Sequence, residues 1–178
     1  MQSDAQTLTT TYPAEPDSVS RARHALSDFA ATAGADVTQV DAIRLAVSEA
    51  VTNAVLHAYH DEPGSVHITA AVVSGELWIL IGDDGCGLEP RPDRPGLGLG
   101  LALIAQVSDE LAVVPRASGG IEVRMCFVLA RTANARSSGT GGGSRARGRQ
   151  QGGSDGLGGD SWPPCRARRA RGRSRRPA

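Results

Sequence analysis

The chain has no lysine; all 19 of its basic residues are arginine. A Walker A phosphate loop is thereby excluded, because that loop uses its Lys to reach the nucleotide phosphates. The bias also fits GC-rich coding. Cysteine is scarce as well: Cys86, Cys126 and Cys165 are odd in number, widely spaced and form no C-x-x-C pair. That argues against a disulfide framework or a Cys-based zinc site and fits a reducing compartment. Aromatic residues make up only 3% of the chain. No stretch approaches the roughly 20 apolar residues of a membrane-spanning helix, and no early segment joins a positive region to an apolar run. The expectation is a soluble, cytoplasmic protein without membrane association.

What is present is unevenly distributed. Residues 1–132 carry 8 Arg against 17 acidic side chains, a net of −9, whereas residues 133–178 carry 11 Arg against 2 Asp, a net of +9. The formal neutrality of the whole is a cancellation. The second stretch also holds 11 Gly in 46 residues and almost no aliphatic side chains. Such a composition cannot bury enough apolar surface to offset the entropy of ordering. Three regions are expected: a flexible N-terminus over 1–7, a folded domain over 8–132 and a disordered Arg/Gly-rich tail over 133–178. A basic tail would attract nucleic acid or an acidic surface, this chain's own acidic domain included. Without interleaved aromatics for base stacking, a solvated extension is the expected reading.

Within the domain, Leu8–Tyr12 is a Thr-rich strand candidate closed by Pro13 and Pro16. Asp17 or Ser18 is expected to cap a first helix that runs to about Ala33, with Ala22, Leu26 and Phe29 facing inward and Gly34 ending it. Asp36 to Thr38 supply caps for a second helix reaching roughly Tyr59. Val66–Val73 and Leu77–Gly82 read as a hairpin around Ser74-Gly75-Glu76. Leu88–Pro95, with three Pro and four charged residues, reads as an exposed loop before a short helix over Leu101–Val107. Glu110–Val114 and Ile121–Leu129 are two further strands, the last with Ile121, Val123, Met125, Phe127 and Leu129 on one face. Five strands joined mostly by hairpins, with three helices, imply an α+β fold of two layers, helices over one face of a mixed, mostly antiparallel sheet.

Three clusters could carry chemistry. In the second helix Glu49, Asn53 and His57 recur at i, i+4 and i+8 beside an apolar stripe of Ile43, Ala46, Val47, Ala50, Val51, Ala54 and Ala58. Asn53 offers a neutral oxygen to Mg²⁺, a hard ion that prefers oxygen ligands. Glu49, one turn earlier, is placed to take a proton from an attacking hydroxyl. An amphipathic helix with a solvated polar border gives the same pattern. His57, His60 and His67 make only a weak zinc set without a nearby Cys. The second cluster is Asp83-Asp84-Gly85-Cys86-Gly87. A carboxylate at a strand end can accept from an exocyclic amine such as that of adenine, and the two glycines let the backbone turn sharply against a flat base. A plain Asp-Gly turn is the alternative. A calcium loop is excluded, since its spaced oxygen ligands and closing Glu are missing. The third cluster is Gly96-Leu97-Gly98-Leu99-Gly100. Glycines opening a helix bring amide N–H groups and the positive end of the helix dipole to a phosphate. A dinucleotide fingerprint fails here, because position 101 is Leu and a Pro-rich loop precedes.

In this order and spacing the clusters resemble the GHKL, or Bergerat-fold, ATPases. Within them, Glu-Ala-Val-Thr-Asn-Ala-Val-Leu-His-Ala-Tyr (49–59), the Gly-Leu-Gly-Leu turn, Ser-Asp-Glu-Leu and Gly-Gly-Ile-Glu-Val-Arg-Met resemble the anti-sigma-factor serine/threonine kinases over roughly residues 8–131. The resemblance implies ATP and Mg²⁺ as cofactors. Asn53 would ligate Mg²⁺, Glu49 would be the catalytic base, and Asp83 would hold the adenine amino group with Gly85 and Gly87 shaping the pocket. Gly96, Leu97, Gly98, Leu99 and Gly100 would cradle the phosphates, and Arg94 is assigned to the terminal phosphate from its charge and position. The chain departs from the pattern at Gly100, where relatives often carry a bulkier residue, and at the Pro95-Gly96 junction. The implied partners are an RNA polymerase sigma factor and a small antagonist protein phosphorylated on Ser or Thr, with the kinase working as a homodimer. The alternatives are a non-catalytic ATP-binding module that sequesters a partner, and the catalytic piece of a two-component histidine kinase. The latter would need a dimerising hairpin with a phosphoacceptor His, for which the segment around His24 is too short.

Overall fold

A computed structural model of the protein describes residues 6–59, 62–87 and 97–129. The expected loop over 88–95, the expected tail over 133–178 and all but the end of the expected flexible N-terminus lie outside the described residues. The order of elements is β1 (Thr7–Pro13), α1 (Pro16–Thr32), α2 (Val37–Asn53), a wide π-type turn (Ala54–Ala58), β2 (Ser65–Val73), β3 (Glu76–Asp83), α3 (Leu97–Val107), β4 (Glu110–Pro115) and β5 (Ile121–Val128). The strands form one sheet in the order β1-β2-β3-β5-β4, antiparallel at every pairing, and the architecture is the α+β class expected.

Strand alternation decides which face packs. The register sets Ala70 opposite Ile79, Ile79 opposite Met125, and Met125 opposite Leu111, while Ile68, Ile81, Val123 and Val113 form the next row. These rows join Leu26, Ile43, Val47, Val51 and Ile104 of the helices in one core. Every member of the stripe from Ile43 to Ala58 is buried. Burial of each Ile, Val or Leu in this core contributes about 1.5–3 kcal/mol relative to exposure.

The helix ends carry local signals. Asp36 caps α2 through a capping box: its carboxylate accepts from the Gln39 N–H at 2.8 Å, and Gln39 Oε1 accepts from the Asp36 N–H at 3.2 Å. The start of α1 differs from expectation. Glu15 is the N-cap and makes no side-chain cap bond, so Asp17 and Ser18 lie inside the first turn. Pro16 explains this, because its ring presets the helical φ and its missing N–H costs nothing where no acceptor precedes. Gly34, at φ +96°, ends α1 as expected. The hairpin between β2 and β3 turns at Ser74 and Gly75, both at positive φ, the geometry of the tight hairpin turns that match strand twist.

Two boundaries near the clusters also differ. The second helix reaches Ala58, close to the expected Tyr59, but its α-helical pitch stops at Asn53 and the rest is the wide turn. Helix α3 begins at Leu97, four residues before the expected Leu101, so Gly98 and Gly100 lie within its first turn. Glycine is tolerated there because the first N–H groups of a helix have no intrahelical partner to lose.

Candidate functional site

Asp83 is the last residue of β3 and shares the inward parity of Ile79 and Ile81, so the pleat turns its carboxylate toward the helices. It is only 4% exposed. Its Oδ1 accepts from the Gly85 N–H at 3.0 Å. Burial raises its pKa above the ordinary value of 3.8; the backbone N–H groups of Gly85 and Ile121 and the charge of Arg116 oppose that rise. A desolvated carboxylate without a full set of donors suits a ligand that brings one.

The Asp83 carboxylate faces a pocket lined by Asn53, His57, Gly87, Leu101, Ile121 and Val123, with Ile81, Ala50 and Ala54 in its wall. The cavity is narrow as it stands, about 20 Å³. An aliphatic wall with one acceptor at the end has the chemical character that suits a heterocycle carrying an amino group, although a ring needs more room than this cavity holds.

The glycine turn reaches its position by contact with the end of the wide turn after α2. The Cys86 N–H donates to the Ala58 C=O at 3.0 Å. A Cβ on Gly85 would lie 2.1 Å from that same oxygen, so the approach needs a residue without a side chain. Ala58 ends the wide turn, so its carbonyl has no intrahelical partner and meets the Cys86 N–H instead. Gly87, at φ +78°, lines the pocket, and the place its Cβ would take is open for 4 Å around.

Beside Asn53, one of the residues lining the pocket, the acid, the amide and the third cluster come together. The point where a Gly100 Cβ would stand is 2.9 Å from Glu49 Oε2 and 3.3 Å from Asn53 Nδ2. The first turn of α3 therefore rests against Glu49 and Asn53, an approach that even an alanine would crowd. Asn53 Nδ2 is buried and makes no hydrogen bond. A buried amide without a partner is costly in a folded protein and marks a group shaped for something else. The two ends of an amide are nearly equal in shape, so a half-turn of the group offers either its oxygen or its nitrogen to a ligand there.

Of the residues singled out from sequence, Asn53, Asp83 and Gly87 line one pocket, Glu49 and Gly100 adjoin Asn53, and Gly85 fastens the turn. Gly98 lies in the first turn of α3, as do Leu97 and Leu99, the last with an exposed side chain. Arg94, Gly96 and His60 lie outside the described residues. The zinc reading gains nothing from His67, whose Nε2 is 2.5 Å from Asp84 Oδ2, and no group of three or more His, Cys, Asp or Glu suited to a metal occurs among the described residues. Sequence reasoning missed Arg116, Ser118 and Gly120 on the β4–β5 turn. A Cβ on Gly120 would lie 2.2 Å from the Asp83 carbonyl oxygen, so this turn closes over the end of β3. The Gly119-Gly120 doublet was the available signal, and it reads equally well as an ordinary hairpin turn.

The fold is that of an ATPase domain. Residues 12–127 match the family described as histidine kinase-like ATPase domain, and the chain belongs to that family. It is 31% identical over 123 residues to the anti-sigma F factor of Clostridium acetobutylicum, covering 63% of this chain and 86% of that protein. It is 32% identical over 133 residues to the serine-protein kinase RsbW of Bacillus velezensis, covering 66% of this chain and 82% of that one. Among solved structures, that of the RsbU and RsbW domains of a Mycobacterium tuberculosis protein matches with a TM-score of 0.58 and 25% identity over 74% of this chain. The match takes in 35% of that longer chain. No helix among the described residues is long and apolar enough to cross a membrane.

The raised pKa of Asp83 sets a test. Only the ionised carboxylate accepts without competing protonation, so any nucleotide whose amino group Asp83 accepted would lose affinity on acidification, with a midpoint above the ordinary 3.8. Fold stability should move the other way at this group: its contribution is full below the ordinary value and is lost as pH rises through the raised one. Calorimetric titration of ATP across the acidic range checks the first; an Asp83→Asn variant should show no such midpoint.

Proposed function

We propose that the protein is an ATP-dependent anti-sigma factor and serine/threonine protein kinase, which holds a sigma factor and phosphorylates a Ser or Thr on an antagonist protein. The names of its relatives support this reading. The observation that carries it is the meeting of Glu49 and the Cβ-less Gly100 at Asn53, which lines the same pocket as the buried Asp83.

In this reading Asp83 accepts from the adenine amino group, and the Ile81 and Val123 wall covers the base. The first turn of α3 presents unpaired N–H groups and the positive end of its dipole to the phosphates. Asn53 would hold Mg²⁺ through its amide oxygen; the atom without a partner is its Nδ2, so this role requires the half-turn that exchanges the two. Mg²⁺ supplies charge neutralisation on the phosphates during transfer. Glu49 accepts the proton of the attacking hydroxyl, or orients that hydroxyl, from its place beside Asn53. Most of the acceleration then comes from holding the reactants in line rather than from covalent chemistry. Arg94 and Gly96 complete the phosphate site in this proposal.

Incubation with ATP labelled in the γ-phosphate, together with candidate antagonist proteins, tests the proposal. Transfer of label to a Ser or Thr of the antagonist is the expected result. Nucleotide that binds without labelling any partner would instead identify a module that uses ATP only to set its shape.

A further inference from the structure

The doublet Asp83-Asp84 splits across the sheet. Asp83 faces the pocket, and Asp84, next along the chain, faces away from it. Both carboxylate oxygens of Asp84 are partnered. Oδ2 lies 2.5 Å from His67 Nε2, and Oδ1 receives the Ser118 hydroxyl at 2.9 Å and Arg116 Nη1 at 3.0 Å. The Asp84 backbone N–H donates to the Tyr59 hydroxyl at 2.9 Å, and that hydroxyl donates to the Ser65 carbonyl at 2.6 Å. Arg116 Nη1 also donates to the Asp83 carbonyl at 3.1 Å. On the far side His67 Nδ1 lies 3.3 Å from Thr11 Oγ1 on β1.

These bonds have a mechanical effect. The turn after Asp83 contains Gly85 and Gly87, residues that leave a backbone loose when nothing else fixes it. Asp84 supplies the fixation from β2, from the residue that follows the wide turn and from the β4–β5 turn at once. Its pKa is lowered, chiefly by the His67 hydrogen bond, as for a carboxylate whose charged form is well partnered. Charge-assisted bonds of this kind are stronger than neutral ones.

We infer that Asp84 is a positioning residue for nucleotide recognition: with His67, Ser118 and Arg116 it fixes the carbonyl and carboxylate of Asp83, so that ATP affinity and the preference for adenine over guanine depend on a side chain outside the pocket. The inference rests on the proposed ATP reading. A base carrying an amino group where Asp83 accepts is favoured only while that carboxylate is held in place; a carboxylate free to shift discriminates less. Asp84 touches no reacting atom and acts through its neighbour.

Calorimetry with ATP and with GTP on the full chain tests this, using Asp84→Ala, Asp84→Asn and His67→Gln. Asp84→Ala is expected to weaken ATP by roughly 10- to 100-fold and to bring the ATP-to-GTP ratio toward one. Asp84→Asn keeps an oxygen for Ser118 and Arg116 and should recover part of both, as should His67→Gln, whose amide still donates. A folded Asp84→Ala protein with ATP affinity and nucleotide ratio within about twofold of wild type overturns the inference, and so does a lowered melting temperature without any change in the ratio. If Asp84→Ala fails to fold, the same reading is taken from the other two variants, and an unchanged ratio in both overturns it. Wild-type protein that binds neither nucleotide would sink the ATP reading itself, a result distinct from either of these.

Discussion

Glu49→Ala protein should bind ATP nearly as well as wild type and transfer its phosphate about 10²- to 10⁴-fold more slowly, the usual range for removing a positioned proton acceptor. The reasoning is geometric. Glu49 Oε2 stands beside the first turn of α3 and beside Asn53, close to where the proposed mechanism sets the phosphates, yet Glu49 is not among the residues lining the pocket. Its removal leaves the base site and the phosphate amides intact. Single-turnover transfer rates, measured beside equilibrium ATP binding, separate the two quantities. Equal rates in variant and wild type would remove Glu49 from the mechanism.

Gly85→Ala should do the reverse and abolish nucleotide binding together with much of the local stability. The added methyl would stand 2.1 Å from the Ala58 carbonyl oxygen, 2.5 Å from its carbon and 2.7 Å from its Cβ. Two of these are backbone atoms, so no rotamer change relieves the clash. The turn would have to lift, breaking the Cys86 N–H bond to Ala58 and the Gly85 N–H bond to Asp83. Overpacking and a lost hydrogen bond together cost roughly 2–4 kcal/mol. Gly87→Ala provides the contrast: there is space for its methyl, and only the positive φ is unfavourable, at a cost of about 1 kcal/mol. Thermal denaturation of both variants, with and without ATP, measures the difference. A Gly85→Ala protein as stable as Gly87→Ala would contradict the contact argument.

The fold is legible in the sequence where one rule acts alone. Glu76–Asp83, buried on both faces, is located by its nearly unbroken apolar run, whereas apolar alternation locates Ile121–Val128 and Ser65–Val73 to within a residue or two, because these strands bury chiefly one face. The stripe from Ile43 to Ala58 is legible for the same reason. The start of α1 is not, because two rules compete at Pro16-Asp17-Ser18, and the proline's fixed φ outweighs the cap preference of the two residues after it. The start of α3 is hidden because glycine lowers helix propensity, whereas the first turn lies against Glu49 and Asn53 and is held by that packing. At the site, the residues that local patterns mark, Glu49, Asn53 and Asp83, are visible. The roles of Arg116, Ser118 and His67 are not, since these side chains reach the turn at Asp84 only through the pairing of distant strands.

The wide turn after Asn53 has a consequence for how the chain tolerates change. An ordinary helix advances about 100° per residue, so a protein one residue shorter between Asn53 and Tyr59 could keep every motif letter and still swing the Tyr59 ring by more than a right angle round the axis. Its hydroxyl would then miss both Ser65 and Asp84. Spelling alone does not define this nucleotide pocket; the count of residues between its letters is part of its grammar.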